Sequence, residues 1–167
     1  MTLFVLDTNF FIQAHRANYP FDVAINFWLK VKELAEAEKI ISIDKVKKEI
    51  FDNEDALKNW CQDNLPKDFF KDTSCVLKQY ADVVKWTTTN NASSYLPKAI
   101  TEFLEADKAD AWLVAYALED KGNRIIVTQE ISNPQRKSKI QIPDVCNNLA
   151  VKYTNTIGMF RLLGESF

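Results

Sequence analysis

Glycine is nearly absent. Gly122, Gly158 and Gly164 are the three in 167 residues, so no glycine-rich phosphate loop can be built, and P-loop and Rossmann nucleotide-binding readings fail. Histidine is scarcer still. His15 is the single one, which excludes histidine-rich zinc sites made within one chain. A Ser-His-Asp or Cys-His triad would have to use it, and no Gly-x-Ser-x-Gly elbow accompanies it. Three cysteines, Cys61, Cys75 and Cys146, are odd in number and far apart. They predict reduced thiols in a cytoplasmic protein, with no Cys-x-x-Cys site. No apolar run approaches the roughly 18 residues of a membrane span. The chain enters its first strand at once, which predicts no signal peptide. Excess positive charge is also missing: 21 basic residues face 23 acidic ones. Bulk cationic attraction to nucleic acid is therefore excluded, and any basic patch must be local.

What is present suits one domain over residues 1–167, since 47% of the chain is apolar and that length buries a substantial core. Leu3 to Leu6 is an unbroken apolar run ending at Asp7, which reads as a strand buried on both faces. Thr8 and Asn9 are good helix starters, and a helix is expected from Phe10 to about Ala17. Asn18-Tyr19-Pro20-Phe21-Asp22 breaks it. Asp22 then reads as the cap of a helix from Val23 to Glu38, with Ile25, Trp28, Leu29, Val31 and Leu34 along its apolar stripe. Ile40 to Ile43 is the second strand. Asp44 starts a helix carrying Glu49, and another helix is expected over Asn53–Leu65. Phe69-Phe70 reads as an apolar anchor of a connection.

Helices follow at Thr73–Thr87 and Tyr95–Glu105, separated by the polar stretch Thr87-Thr88-Thr89-Asn90-Asn91, which reads as a flexible loop. An alanine- and leucine-rich helix spans Asp107–Leu118, with Gly122 as its C-terminal glycine. Arg124–Thr128 is a third strand, Asn133–Lys139 a basic loop, and Ile142-Pro143-Asp144 the start of a short helix. Val151–Tyr153 is a last strand, and Asn155 caps a final helix through Leu162. This order argues α/β with a small, mostly parallel sheet.

The chemistry lies in where the acids fall. Asp7 ends the first strand, Glu49 follows the second, Asp110 opens the helix before the third, and Glu130 follows the third. Asp107 stands one helical turn before Asp110, which predicts a shared face. In a parallel sheet the carboxyl ends share one edge, where ligands collect. Two like charges about 4 Å apart repel by roughly 4 kcal/mol at an effective dielectric of about 20, so such acids must take up protons or bind a cation. An oxygen-only donor set favours Mg²⁺ or Mn²⁺. Such an ion activates water for phosphodiester hydrolysis, and a metal-dependent nuclease is the expected reading.

The set Val5-Leu6-Asp7-Thr8-Asn9, Ser42 with Glu49, Ala109-Asp110-Ala111 with Ala115, and Val127-Thr128-Gln129-Glu130 resembles the PIN-domain ribonucleases, including the VapC-like toxins of bacterial toxin–antitoxin pairs. Phe11-Ile12-Gln13-Ala14-His15-Arg16 with Tyr19-Pro20-Phe21-Asp22 resembles one PIN subfamily more narrowly. The resemblance implies a PIN-like three-layer sandwich, Mg²⁺ or Mn²⁺, and endonucleolytic cleavage of RNA. Asp7, Glu49 and Asp110 match the family's three core acids. Glu130 stands where aspartate is commoner, and Thr8, Asn9 and Thr128 match small polar residues that orient the site. A cognate antitoxin and a homodimer are implied partners, with Tyr19, Phe21, Phe69 and Phe70 suited to an interface or to the core.

Plainer accounts exist for single residues. Glu49 sits beside Lys45, Lys47 and Lys48 and could be a solvated helix residue, and Asp107 could be an N-cap. Arg136, Lys137 and Lys139 are either a solvated loop or phosphate contacts. Three rival functions are weighed. A haloacid-dehalogenase-like phosphatase needs an aspartate where Asn9 stands. A nuclease on structured DNA lacks a basic clamp here. A catalytically degenerate PIN-like module would bind RNA or a partner without cutting.

Overall fold

The computed structural model describes residues 1–89 and 95–167. Asn90 and Asn91 of the expected polar loop lie outside these residues. Five strands form one sheet: β1 (Leu3–Leu6), β2 (Ile40–Ile43), β3 (Phe70–Lys71), β4 (Arg124–Val127) and β5 (Lys152–Thr154). Their spatial order is β3-β2-β1-β4-β5, and every pairing is parallel. The central strand is the one with the least polar sequence: Phe4, Val5 and Leu6 are fully buried, as a strand covered on both faces requires.

Nine α-helices among the described residues flank the sheet, in the α/β, PIN-like three-layer arrangement. They are α1 (Thr8–Gln13), α2 (Ile25–Glu36), α3 (Asp44–Phe51), α4 (Ala56–Asn64), α5 (Leu77–Thr87), α6 (Pro97–Phe103), α7 (Ala109–Glu119), α8 (Ile142–Leu149) and α9 (Thr156–Leu163). Helix α7 is apolar around its whole girth and buried from Ala109 to Ala117 save Asp110. It packs against α3, α5, α8 and β4, so one helix fixes the position of several others.

The differences from sequence expectation have local causes. The sheet is wholly parallel among the described residues, not mostly so. Phe70 is part of a strand, since two residues beside β2 suffice for pairing but not for a readable period. Asp22 does not cap α2. Val23 and Ala24 both donate to the Pro20 carbonyl, the turn runs on to Ala24, and the buried stripe becomes Phe27, Trp28, Val31, Leu34 and Ala35. Ile25 and Leu29 are exposed. Gly122 lies in the turn after α7, whose C-cap is Asp120.

After Gln13 the chain widens into a π-helical turn, Ala14–Asn18, closed by a bond from Tyr19 N to Ala14 O at 2.7 Å. Tyr19 stacks on Phe27 with centroids 4.1 Å apart, and Phe21 packs on Trp28 at 4.5 Å. The indole Nε1 of Trp28 donates to the Tyr19 carbonyl at 2.6 Å. Phe69 is buried against Phe11 and Phe70. These four aromatics are thus packed against the core. All three cysteines are free, and no described helix is long and apolar enough to cross a membrane.

Candidate functional site

The sheet order places β1 between β2 and β4, so the chain leaves β1 in one direction and later returns on its other side. Crevices at such switch points open at the carboxyl ends of the strands. Asp7 follows β1 there and the segment Thr128–Glu130 follows β4, and the two ends are tied together. Asp7 N donates to Val127 O at 2.9 Å. Thr128 Oγ1 donates to Asp7 Oδ2 at 2.8 Å, and Thr8 N donates to Asp7 Oδ1 at 2.7 Å. Asn9 Oδ1 accepts from Gln129 N at 3.0 Å, and its Nδ2 reaches Thr128 Oγ1 at 3.4 Å. Ser42 Oγ donates to Leu6 O at 2.6 Å, tying in β2. The side chains of Asn9 and Thr128 and the backbone N–H of Thr8 therefore link the two strand ends around Asp7. The Thr8 hydroxyl is itself buried without a partner among the described residues.

A cavity of about 420 Å³ opens at this edge. It is lined by five acids: the expected Asp7, Glu49, Asp110 and Glu130, drawn from four separate parts of the chain, and Glu102 of α6. Burial pushes Asp7 well above the usual carboxylate range, and Asp110 and Glu130 push it further. Burial likewise raises Asp110 to about 7, with Glu130 and Glu49 adding to the shift and Lys139 and Lys108 opposing it. No hydrogen bond to the Asp110 carboxylate occurs among those described, and its charge is favoured by Lys139 and Lys108 alone.

Two of the acids also serve helices. Glu49 Oε1 accepts from Ala109 N at 2.7 Å, the first residue of α7. Glu130 Oε2 accepts from Ile142 N at 2.7 Å, the first residue of α8. Neither helix has a cap from its own N-cap side chain, so these acids satisfy N–H groups that would otherwise lack a partner. Glu130 Oε1 meets Lys139 Nζ at 3.3 Å.

The remaining expected residues divide. Lys139 lines the cavity. Lys137 instead donates to Pro134 O at 2.6 Å and lies 5.2 Å from the Tyr95 ring, and Arg136 donates to Ser138 Oγ at 3.4 Å. Neither reaches the cavity. Asp107 does not reach it either: its side chain is 80% exposed and lies 3.8 Å from Lys48. Lys108 is the N-cap of α7, so Asp107 precedes the helix, and the three-residue spacing that puts side chains on one face does not apply.

Sequence reasoning missed Ile12, Gln13, Ala99, Glu102, Phe103, Lys108 and Ile140, all of which line the cavity. Ile12 and Gln13 stand three and four residues after Asn9, a helical spacing that would have found them. Nothing local marks Glu102, because α6 comes to the site from a distant part of the chain.

With this geometry in hand, comparison places the chain. It matches the family described as "Domain of unknown function (DUF4411)" over residues 4–167. The chain belongs to the DUF4411 family. No curated protein and no solved structure matches it. The matched span contains every acid of the DUF4411 site.

Carboxylates as the donors, with two of them raised by burial and mutual repulsion, suit a hard cation such as Mg²⁺ or Mn²⁺. Among the described residues, however, no three His, Cys, Asp or Glu side chains are grouped closely enough to hold a metal ion. Chemistry and charge fit, and a closed cage is not preformed.

Proposed function

We propose that this DUF4411 chain is a divalent-metal-dependent endoribonuclease of the PIN-domain, VapC-like kind. One observation carries the reading: Asp7, Glu49, Asp110 and Glu130 converge on a single cavity at the switch point of a parallel sheet. Mg²⁺ or Mn²⁺ bound there would neutralise the acids and lower the pKa of a water for attack on phosphorus. Asp7 and Asp110 would hold it, with Glu49 contributing the oxygen that α7 leaves free and Glu130 the oxygen that Lys139 bonds in the metal-free chain. Thr128 and Thr8 hold the Asp7 carboxylate in place. Lys139 and Lys108 supply positive charge at the cavity for a phosphate oxygen. Near neutral pH Asp110 can exchange a proton for incoming positive charge.

We further propose that it is the toxin of a bacterial toxin–antitoxin pair, acting in the cytoplasm as a homodimer with a cognate antitoxin. The resemblance to VapC-like toxins and the three free cysteines support this part.

A second reading rests on a different observation. Glu49 and Glu130 are bonded to helix N-termini and the acids are not grouped as a metal cage, which suits a catalytically degenerate PIN-like module that binds RNA or a partner. Calorimetric titration with Mg²⁺ and Mn²⁺ separates the two. The nuclease reading expects binding to the wild type, its loss in Asp7→Asn and Asp110→Asn, intact melting of both variants, and loss of RNA cleavage with the metal. A folded wild type that binds neither ion, with or without an oligoribonucleotide, favours the second reading.

A further inference from the structure

The cavity has two chemistries, and the metal reading uses one. Its floor at the sheet edge is acidic. Its lining includes half-buried Ile12 of α1 and the almost fully buried Ala99 and Phe103 of α6 and Ile140 ahead of α8. Ile12, backed by three nearly buried apolar residues, thus brings apolar surface beside the acids, which a sugar-phosphate chain has no use for and a flat aromatic base does. A volume of about 420 Å³ encloses one small-molecule-sized group, not a duplex.

The carboxamides near the site narrow the assignment further. Asn9 is bonded to Gln129 and Thr128. The Gln129 side chain accepts from Thr156 N at 3.2 Å. Gln13 also lines the cavity, is exposed, and has no hydrogen bond among those described. It stands at the last position of α1, where the winding widens to π, and the stack of Tyr19 on Phe27 anchors the far end of that turn.

We infer that the cavity seats one unstacked base of a single-stranded RNA against Ile12, and that Gln13 reads the base edge. The substrate class rests on the ribonuclease reading; the base seat is testable without it. A free carboxamide pairs with donor and acceptor groups on a base edge, and a good bidentate pair discriminates by on the order of tenfold or more.

The test is a chemical-shift titration of the whole chain with adenosine, guanosine, cytidine and uridine, with ribose as the base-free control. Nucleosides carry no phosphate, so the acids do not repel them and no metal is needed. One nucleoside is expected to bind about tenfold tighter than the weakest. Gln13→Ala should bring all four to within about twofold, with an unchanged melting temperature. Equal binding of the four, binding no tighter than ribose, or a ranking that survives Gln13→Ala would overturn the inference. A mixed-sequence oligoribonucleotide digested with Mg²⁺ separates the two claims. Ranked nucleoside binding without cleavage retains the base seat and removes the nuclease. Cleavage whose sequence preference is untouched by Gln13→Ala retains the nuclease and removes the base seat.

Discussion

Asp110 carries the clearest electrostatic consequence. Its carboxyl is raised from 3.8 to about 7 in the folded chain, so between these values the folded state binds more protons than the unfolded one. Stability therefore falls as pH rises from about 4 to about 7, and levels off above, where both states have lost the proton. Each pKa unit corresponds to about 1.4 kcal/mol, which sets an upper bound of about 4 kcal/mol on the loss. Chemical denaturation in the presence of a chelator should show this slope in the wild type and a shallower one in Asp110→Asn, where Asp7, raised first by its own burial, keeps its share. Saturating Mg²⁺ should flatten the wild-type slope, because a cation bound to the folded state stabilises the ionised acid. A wild type and an Asp110→Asn variant with superposable profiles would show that Asp110 ionises freely.

At the scale of elements, Glu49 is both a wall of the cavity and the cap of a helix belonging to another part of the chain. The two roles are separable by substitution. Glu49→Gln keeps an oxygen to accept from Ala109 N, whereas Glu49→Ala leaves that N–H unpaired at a cost of about 1 kcal/mol. The alanine variant should melt below the glutamine variant, and both should lose any metal binding that depends on the charge. This pairing also shows what a sequence conceals. Asp7, Asp110 and Glu130 were legible because each follows an apolar strand or opens an apolar helix, and Glu49, in the sixth position of the charged α3, because of the PIN-domain resemblance. Their bonds to α7 and α8 were not, since a cap donated from a distant element leaves no mark at the helix it serves. Asp107 was misplaced for the converse reason: spacing predicts a shared face only inside a helix, and Lys108 marks the boundary. The π-helical turn has no readable period. Tyr19 and Phe21 suit an interface or the core equally until their stacking partners Phe27 and Trp28 are known.

The whole molecule carries nearly balanced charge, a net of -2, and two lysines, Lys108 and Lys139, line the cavity. If RNA binding relies on those two contacts, the logarithm of the binding constant for a short single strand should fall against that of salt with a slope of about -1.4. A titration across a salt series measures it, and a slope of about -4 or steeper would mean that a further basic surface engages the RNA. The topology has another consequence, in the order of synthesis. The Asp7–Thr128 bond joins positions 121 residues apart. The first strand made is thus the centre of the sheet, and it waits for β4 before its second edge is paired. At about 5–20 residues per second this takes roughly 6–24 s. Throughout that interval a nascent chain holds Asp7 without Glu130, Lys139 or Ile140. Whatever chemistry the cavity performs is withheld until most of the chain has been made, and a product truncated before β4 would carry none of it.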